Sequence, residues 1–123
     1  MYILDSSLLI ELLQEKPRAA KIMELVGNET AVTTLISVHE LFRGAEGKEE
    51  FVVKNLLQGM EILLFTSEDA QISGKLAQKL AKKGIPINVA DLLIAGICLN
   101  NNAKLVTFDN DFKLVPELNI IGI

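Results

Sequence analysis

Five acidic residues stand where type and spacing could do chemistry: Asp5, Glu40, Asp91, Asp109 and Asp111. Asp5 interrupts the apolar run of YILDSSLLI, and Asp91 interrupts that of NVADLLIAG, settings where a solvated surface carboxylate is unexpected. Asp109 and Asp111 follow the apolar start of LVTFDNDF, with only Asn110 between them. Carboxylates gathered in one place repel one another, and each drifts toward its neutral form unless something positive sits between them. Oxygen ligands of this kind suit Mg2+ or Mn2+. A hard divalent ion held by a few carboxylates suits phosphodiester hydrolysis, because it polarises the phosphoryl oxygen and acidifies a bound water.

Each acid also has a purely structural reading. Asp5 can be the N-cap of the helix that follows it. Ser37 and Glu40 have the spacing of a capping box, and Asn88 and Asp91 resemble the same device. An acid in a first turn also suits the helix dipole. Asp109 and Asp111 can simply open a turn. These readings explain the acids one at a time. They give no reason for several acids to reach one region.

The elements that would bring them together can be read from apolar patterning. Short apolar runs at 2–4, 30–34, 61–65, 104–107 and 119–123 predict strands covered on both faces. Helical stretches lie between them. SLLIELLQE follows the first strand, and PRAAKIMELVG opens with Pro17 near N1 and stops at Gly27. SVHELFRGA, KEEFVVKNLLQG and SEDAQISGKLAQKLAKKG come next, the last with Ser67 as its expected N-cap. ADLLIAGICLN is the most apolar helix and should be the most buried. Strands alternating with helices predict an α/β fold, a mainly parallel sheet between two helical layers. In such sheets, ligands bind beyond the carboxyl ends of the strands, where these acids are expected.

Composition limits the alternatives. The chain has 123 residues, a usual size for one domain. Half the residues are hydrophobic and there is no Trp, which predicts an aliphatic core. A net charge of −4 argues against nucleic-acid binding through a broad basic face, though not against an acidic site that meets phosphate through metal ions. Cys98 is the only cysteine, so it has no internal disulfide partner and reads as a buried thiol in a reducing compartment. The N-terminus has no basic n-region, and no apolar run approaches the roughly 18 residues of a membrane span. A soluble cytoplasmic protein is expected, with no membrane partner. His39, the only histidine, points about 100° away from Glu40 on a helix and reads as a surface or packing residue. The absence of a second His argues against His-based acid–base catalysis and His-rich zinc sites.

Taken in order, YILDSSLLI, SVHELFRGA and INVADLLIAGICLNNNAKLVTFDNDF resemble the acidic motifs of the PIN-domain nucleases. The resemblance is greatest to VapC-like toxins of toxin–antitoxin pairs, and it covers almost the whole chain. It implies a three-layer α/β/α fold and a Mg2+- or Mn2+-dependent ribonuclease. It carries metal-site roles onto Asp5, Glu40, Asp91 and Asp109. Ser6 and Thr107 would orient a ligand, a water or the fourth acid. It also implies a homodimer and a cognate antitoxin that blocks the site.

Asp111 is set apart by local geometry. Phe108 and Phe112 are four apart, which favours a helical turn that buries both rings. In that turn Asp109 and Asp111 diverge by about 200°, which makes Asp109 the fourth acid and leaves Asp111 to the turn or an outer position. Arg18, Lys21, Arg43 and Lys48 could meet the RNA backbone or form a solvated face. QKLAKK reads as a dipole-matched helix end. Two competing functions remain. A receiver-like module phosphorylated on Asp5 would want paired acids there, and residues 5–7 are DSS. A PIN-like fold kept only for protein binding would not need the full acidic set.

Overall fold

The computed structural model describes residues 1–123. β1 (Tyr2–Leu4), α1 (Ser6–Leu13), α2 (Pro17–Val26), β2 (Ala31–Thr34), α3 (Leu35–Gly44), α4 (Lys48–Leu57) and β3 (Ile62–Leu63) form the first half. α5 (Ser67–Lys82), α6 (Val89–Asn100), β4 (Lys104–Val106), a 3-10 helix (Asn110–Leu114) and β5 (Asn119–Ile121) complete it. All strand pairs are parallel, in the order β3-β2-β1-β4-β5. The chain builds outward from β1 through β2 to β3, then returns to lay β4 on the other side of β1. The order therefore reverses between β1 and β4, and a crevice beyond their carboxyl ends is the usual ligand position in such a sheet.

Strand residues point alternately to the two faces, which is why continuous apolar runs were needed. Tyr2 and Leu4 pack with Leu8, Leu9, Val26, Leu41 and Val53 from the first four helices. Ile3, Val32 and Leu105 pack on the opposite face with Ile94, Ile97 and Cys98 of α6, and with Phe112. Seven of the twelve α6 residues are buried, as its composition predicts. Cys98 is 1% exposed and burial pushes its thiol up to about 12, so it packs as a small hydrophobe. No helix is long and apolar enough to cross a membrane.

The helix starts differ from the sequence expectations in ways that matter for the site. α5 is capped by Thr66 rather than Ser67. Thr66 Oγ1 accepts from the Asp69 amide at 3.2 Å, and Asp69 Oδ2 accepts from the Thr66 amide at 2.9 Å. That capping box is completed tertiarily, because Asn100 Nδ2 of α6 donates to Asp69 Oδ1 at 2.8 Å. α3 is capped by Thr34, whose Oγ1 accepts from the Ser37 amide at 3.1 Å. Ser37 therefore lies inside the helix, and Glu40 has no capping task. Asn88 caps α6 through the Ala90 amide at 2.7 Å, which frees Asp91 in the same way. No strand precedes α6, so Asp91 reaches the crevice from a helix start rather than from a strand end.

Candidate active site

Asp5 follows β1 at the crevice and is 3% exposed. It occupies the N-cap position of α1, but its side chain makes no capping bond. Instead Oδ2 accepts two hydroxyls, from Thr107 Oγ1 at 2.7 Å and Ser7 Oγ at 2.8 Å. Burial raises the Asp5 carboxyl above its ordinary range, and these hydroxyls pull it back down. Each hydroxyl has one proton, already given to Asp5. The 3.1 Å approach of Ser7 Oγ to Thr107 Oγ1 is therefore a close contact rather than a third bond. Both hydroxyls also accept. Ser7 Oγ takes the Phe108 amide, and Thr107 Oγ1 takes the Asp109 amide, each at 3.0 Å.

The neighbouring serine serves a different acid. Ser6 Oγ donates to Glu40 Oε1 at 3.1 Å, tying α1 to α3. Glu40 is half-buried. Burial and then the nearby Asp5 raise its carboxyl, while Ser6 and Arg43 lower it. Asp91 is more strongly affected. Burial first, then Asp109, Asp5, Glu40 and Asp111, push it up to about 7. All five acids thus lie in one electrostatic field.

Asp91, Asp109 and Asp111 come closest together. One carboxylate oxygen from each lies within 4.8 Å of the other two. The predicted divergence of Asp109 and Asp111 does not occur, and the backbone explains why. Asp109 remains extended at φ −86°, ψ 113°, and caps the 3-10 helix by accepting the Asp111 amide on Oδ1 at 2.9 Å. The turn therefore begins after Asp109, and folds Asp111 back beside it. Phe112 is fully buried as expected, whereas Phe108 stays half-buried.

Three converging oxygens, one from a carboxyl whose charged form is disfavoured by burial and then by its acidic neighbours, fit a hard divalent cation. Of the cations chosen from sequence, Arg18 is already engaged. Arg18 Nε donates to Glu11 Oε1 at 2.6 Å, and a second nitrogen pairs with Glu11 Oε2. Its guanidinium also lies 4.0 Å over the Phe108 ring. Arg43 is exposed, and its charge acts on Glu40. Lys21 and Lys48 are exposed and make no ion pair. His39 is exposed, in line with a surface role. Sequence reasoning missed Ser7. The available signal was the DSS doublet itself, since adjacent residues at a helix start point about 100° apart and can serve two acids.

A family model described as the PIN domain matches residues 2–118. The chain is 29% identical to "Ribonuclease VapC1" of Haemophilus influenzae strain R2866 over 126 residues, covering 96% of this chain and 94% of that protein. It is 25% identical over 125 residues to "tRNA(fMet)-specific endonuclease VapC" of Salmonella typhimurium, covering 97% and 95%. Among solved structures, VapBC2 from Rickettsia felis, bound to a DNA fragment from their promoter, is similar with a TM-score of 0.87. Identity there is 26%, over 98% of this chain and 96% of that chain.

Proposed function

The chain belongs to the PIN-domain family, and from that premise we propose that it is a divalent-metal-dependent endoribonuclease, the toxin of a toxin–antitoxin pair. The observation that carries the reading is the convergence of Asp91, Asp109 and Asp111 beside Asp5 and Glu40 at the point where strand order reverses. Mg2+ or Mn2+ is the cation this donor set favours. When bound, such an ion supplies Lewis acidity at the scissile phosphate and a more acidic water.

The residues divide the remaining work. Asp91, Asp109 and Asp111 offer converging oxygens to the cation, and Asp5 and Glu40 keep the metal-site roles that the resemblance gives them. Asp5 is held in one orientation by Ser7 and Thr107, whose hydroxyls share Oδ2 and leave Oδ1 unengaged by either. Glu40 is held by Ser6 on Oε1. Burial and the neighbouring acids push the Asp91 carboxyl up to about 7, so a cation in the site favours its charged form and displaces its proton. A receiver-like role is disfavoured by the same geometry. Asp5 is almost fully covered, and one of its oxygens already accepts two hydroxyls.

The toxin reading is further supported by an apolar groove between α1, α3 and α4, lined by Ile10, Leu13, Leu41, Ala45, Val52 and Val53. Ile10 and Val52 are 41% and 45% exposed, and an amphipathic antitoxin helix would cover them. A homodimer is proposed with the family, and its mass in solution tests it. For the activity, Asp91→Asn and Asp5→Asn are each expected to abolish divalent-dependent RNA cleavage while circular dichroism stays unchanged. Cleavage by either variant at the wild-type rate sinks the assignment. Failure of the wild type to bind Mn2+ at millimolar concentration would favour a purely protein-binding PIN domain.

A further inference from the structure

An acidic chain whose active site holds five carboxylates repels RNA, so something must draw the phosphate backbone to that site. Between Asp69 and Asp91 there is no acid, yet there are four lysines: Lys75, Lys79, Lys82 and Lys83. All four are exposed. On α5 and its C-cap they fall within a sector of roughly 100°, flanking the buried edge of Ser73, Leu76 and Leu80. They span about 12 Å along the helix axis.

The packing brings the helix that carries this stripe against the elements that carry the acids. Leu76 and Leu80 pack with Leu92, the neighbour of Asp91, and with Val115, which follows the 3-10 helix of Asp111. Lys79 pairs with Glu117 on that same segment, and together with Lys83 it holds the Glu117 carboxyl below its usual range. Lys75, Lys82 and Lys83 form no ion pair, and Lys83 acts on Glu117 only at longer range. By contrast Arg18 is committed to Glu11, and Lys48 sits among Glu46, Glu49 and Glu50 in sequence. A helix dipole accounts for lysines in a last turn, but its effect does not reach Lys75, two turns earlier.

We propose that Lys75, Lys82 and Lys83 form the track that binds the substrate's phosphate backbone and leads it to the carboxylates. This deepens the ribonuclease reading and rests on it. Lys79 serves mainly to fasten α5 to the segment that carries Glu117.

The test is Lys75→Gln/Lys82→Gln/Lys83→Gln, made in the cleavage-deficient Asp91→Asn background for binding and in the native background for cleavage. The probe is a fluorescent single-stranded RNA. Its affinity should fall at least about tenfold at low salt, and the slope of log K against log salt should shrink by about 2, the counterion release of three phosphate contacts. An unchanged melting temperature for the variant will show that the fold is intact. Arg18→Gln/Lys21→Gln serves as comparator. The track is overturned if the triple variant keeps wild-type affinity and slope while the native protein cleaves the RNA, or if the comparator loses more. Should the native protein neither bind nor cleave RNA, both the track and the reading beneath it fall.

Discussion

At the scale of single residues, Ser7 Oγ joins three things: it donates to Asp5, accepts from the Phe108 amide, and so fixes the loop that carries Asp109. A group that orients a metal ligand typically affects metal affinity or activity by about 10–100-fold. Ser7→Ala is accordingly expected to weaken Mn2+ binding, measured by the paramagnetic resonance of the free ion, by about that factor. Ser7→Thr keeps the hydroxyl and should recover most of it. Equal loss in both variants would mean that packing, and not the hydroxyl, matters at this position. Asp109 and Asp111 give a second prediction. Asn caps a helix about as well as Asp, so Asp109→Asn removes charge without removing the cap. Because both side chains converge with Asp91, Asp109→Asn and Asp111→Asn should reduce Mn2+ affinity to a similar degree. An unaffected Asp111→Asn would return that residue to the outer role that sequence spacing gives it.

Among the elements, the α5–α6 pair is the scaffold that presents Asp91. The two helices approach so closely at Gly96 that an added Cβ would stand 2.8 Å from the Asp69 carbonyl oxygen and 2.9 Å from Ser73 Cβ. Neither is the free end of a flexible side chain, so the helices would have to separate. Gly96→Ala should cost about 1–3 kcal/mol of stability, as overpacking does, and lower cleavage because Asp91 moves with α6. Gly74 lies on the same α5 helix, where a Cβ would meet nothing within 4 Å. Gly74→Ala should therefore stabilise by up to about 1 kcal/mol, through helix propensity alone. Chemical denaturation of the two variants tests the contrast. Similar shifts of the same sign would show that close packing at Gly96 is not what limits the helix spacing.

For the whole molecule, the concentrated acid charge makes stability depend on pH. Asp91 titrates at an ordinary 3.8 when unfolded and at about 7 when folded. Between those values the folded protein holds a proton that the unfolded chain releases, so stability falls as pH rises from about 4 to about 7. Asp5 and Glu40 are raised as well and act in the same direction. The metal-free melting temperature should therefore be lower at about pH 8 than at about pH 5. Asp91→Asn should flatten that dependence and raise the value at the higher pH. Mn2+ needs the deprotonated ligands, so its stabilising effect should be larger at the higher pH. A metal-free melting temperature that climbs with pH across this range would contradict the shared acidic field.

The order of elements, the apolar strands, the most buried helix and the presence of acids near the crevice were legible in the sequence. These are properties of local pattern, in which apolar period, Pro17 and Gly27 at helix ends, and short motifs recur within a few residues. The caps were only partly legible, because Thr34, Ser37, Thr66 and Ser67 all suit a helix start and the strand ends decide among them. Tertiary structure alone decided which acids meet. Ser6 reaches Glu40 across 34 residues, and Thr107 reaches Asp5 across 102, distances over which no periodicity carries information. It also decided that Asp111 joins Asp91, since that depends on where an extended strand end gives way to a 3-10 turn. The sequence by itself determined that these carboxylates and the α/β frame are present. Long-range packing determined which of their oxygens converge, because burial and mutual repulsion act only once the chain has closed around them.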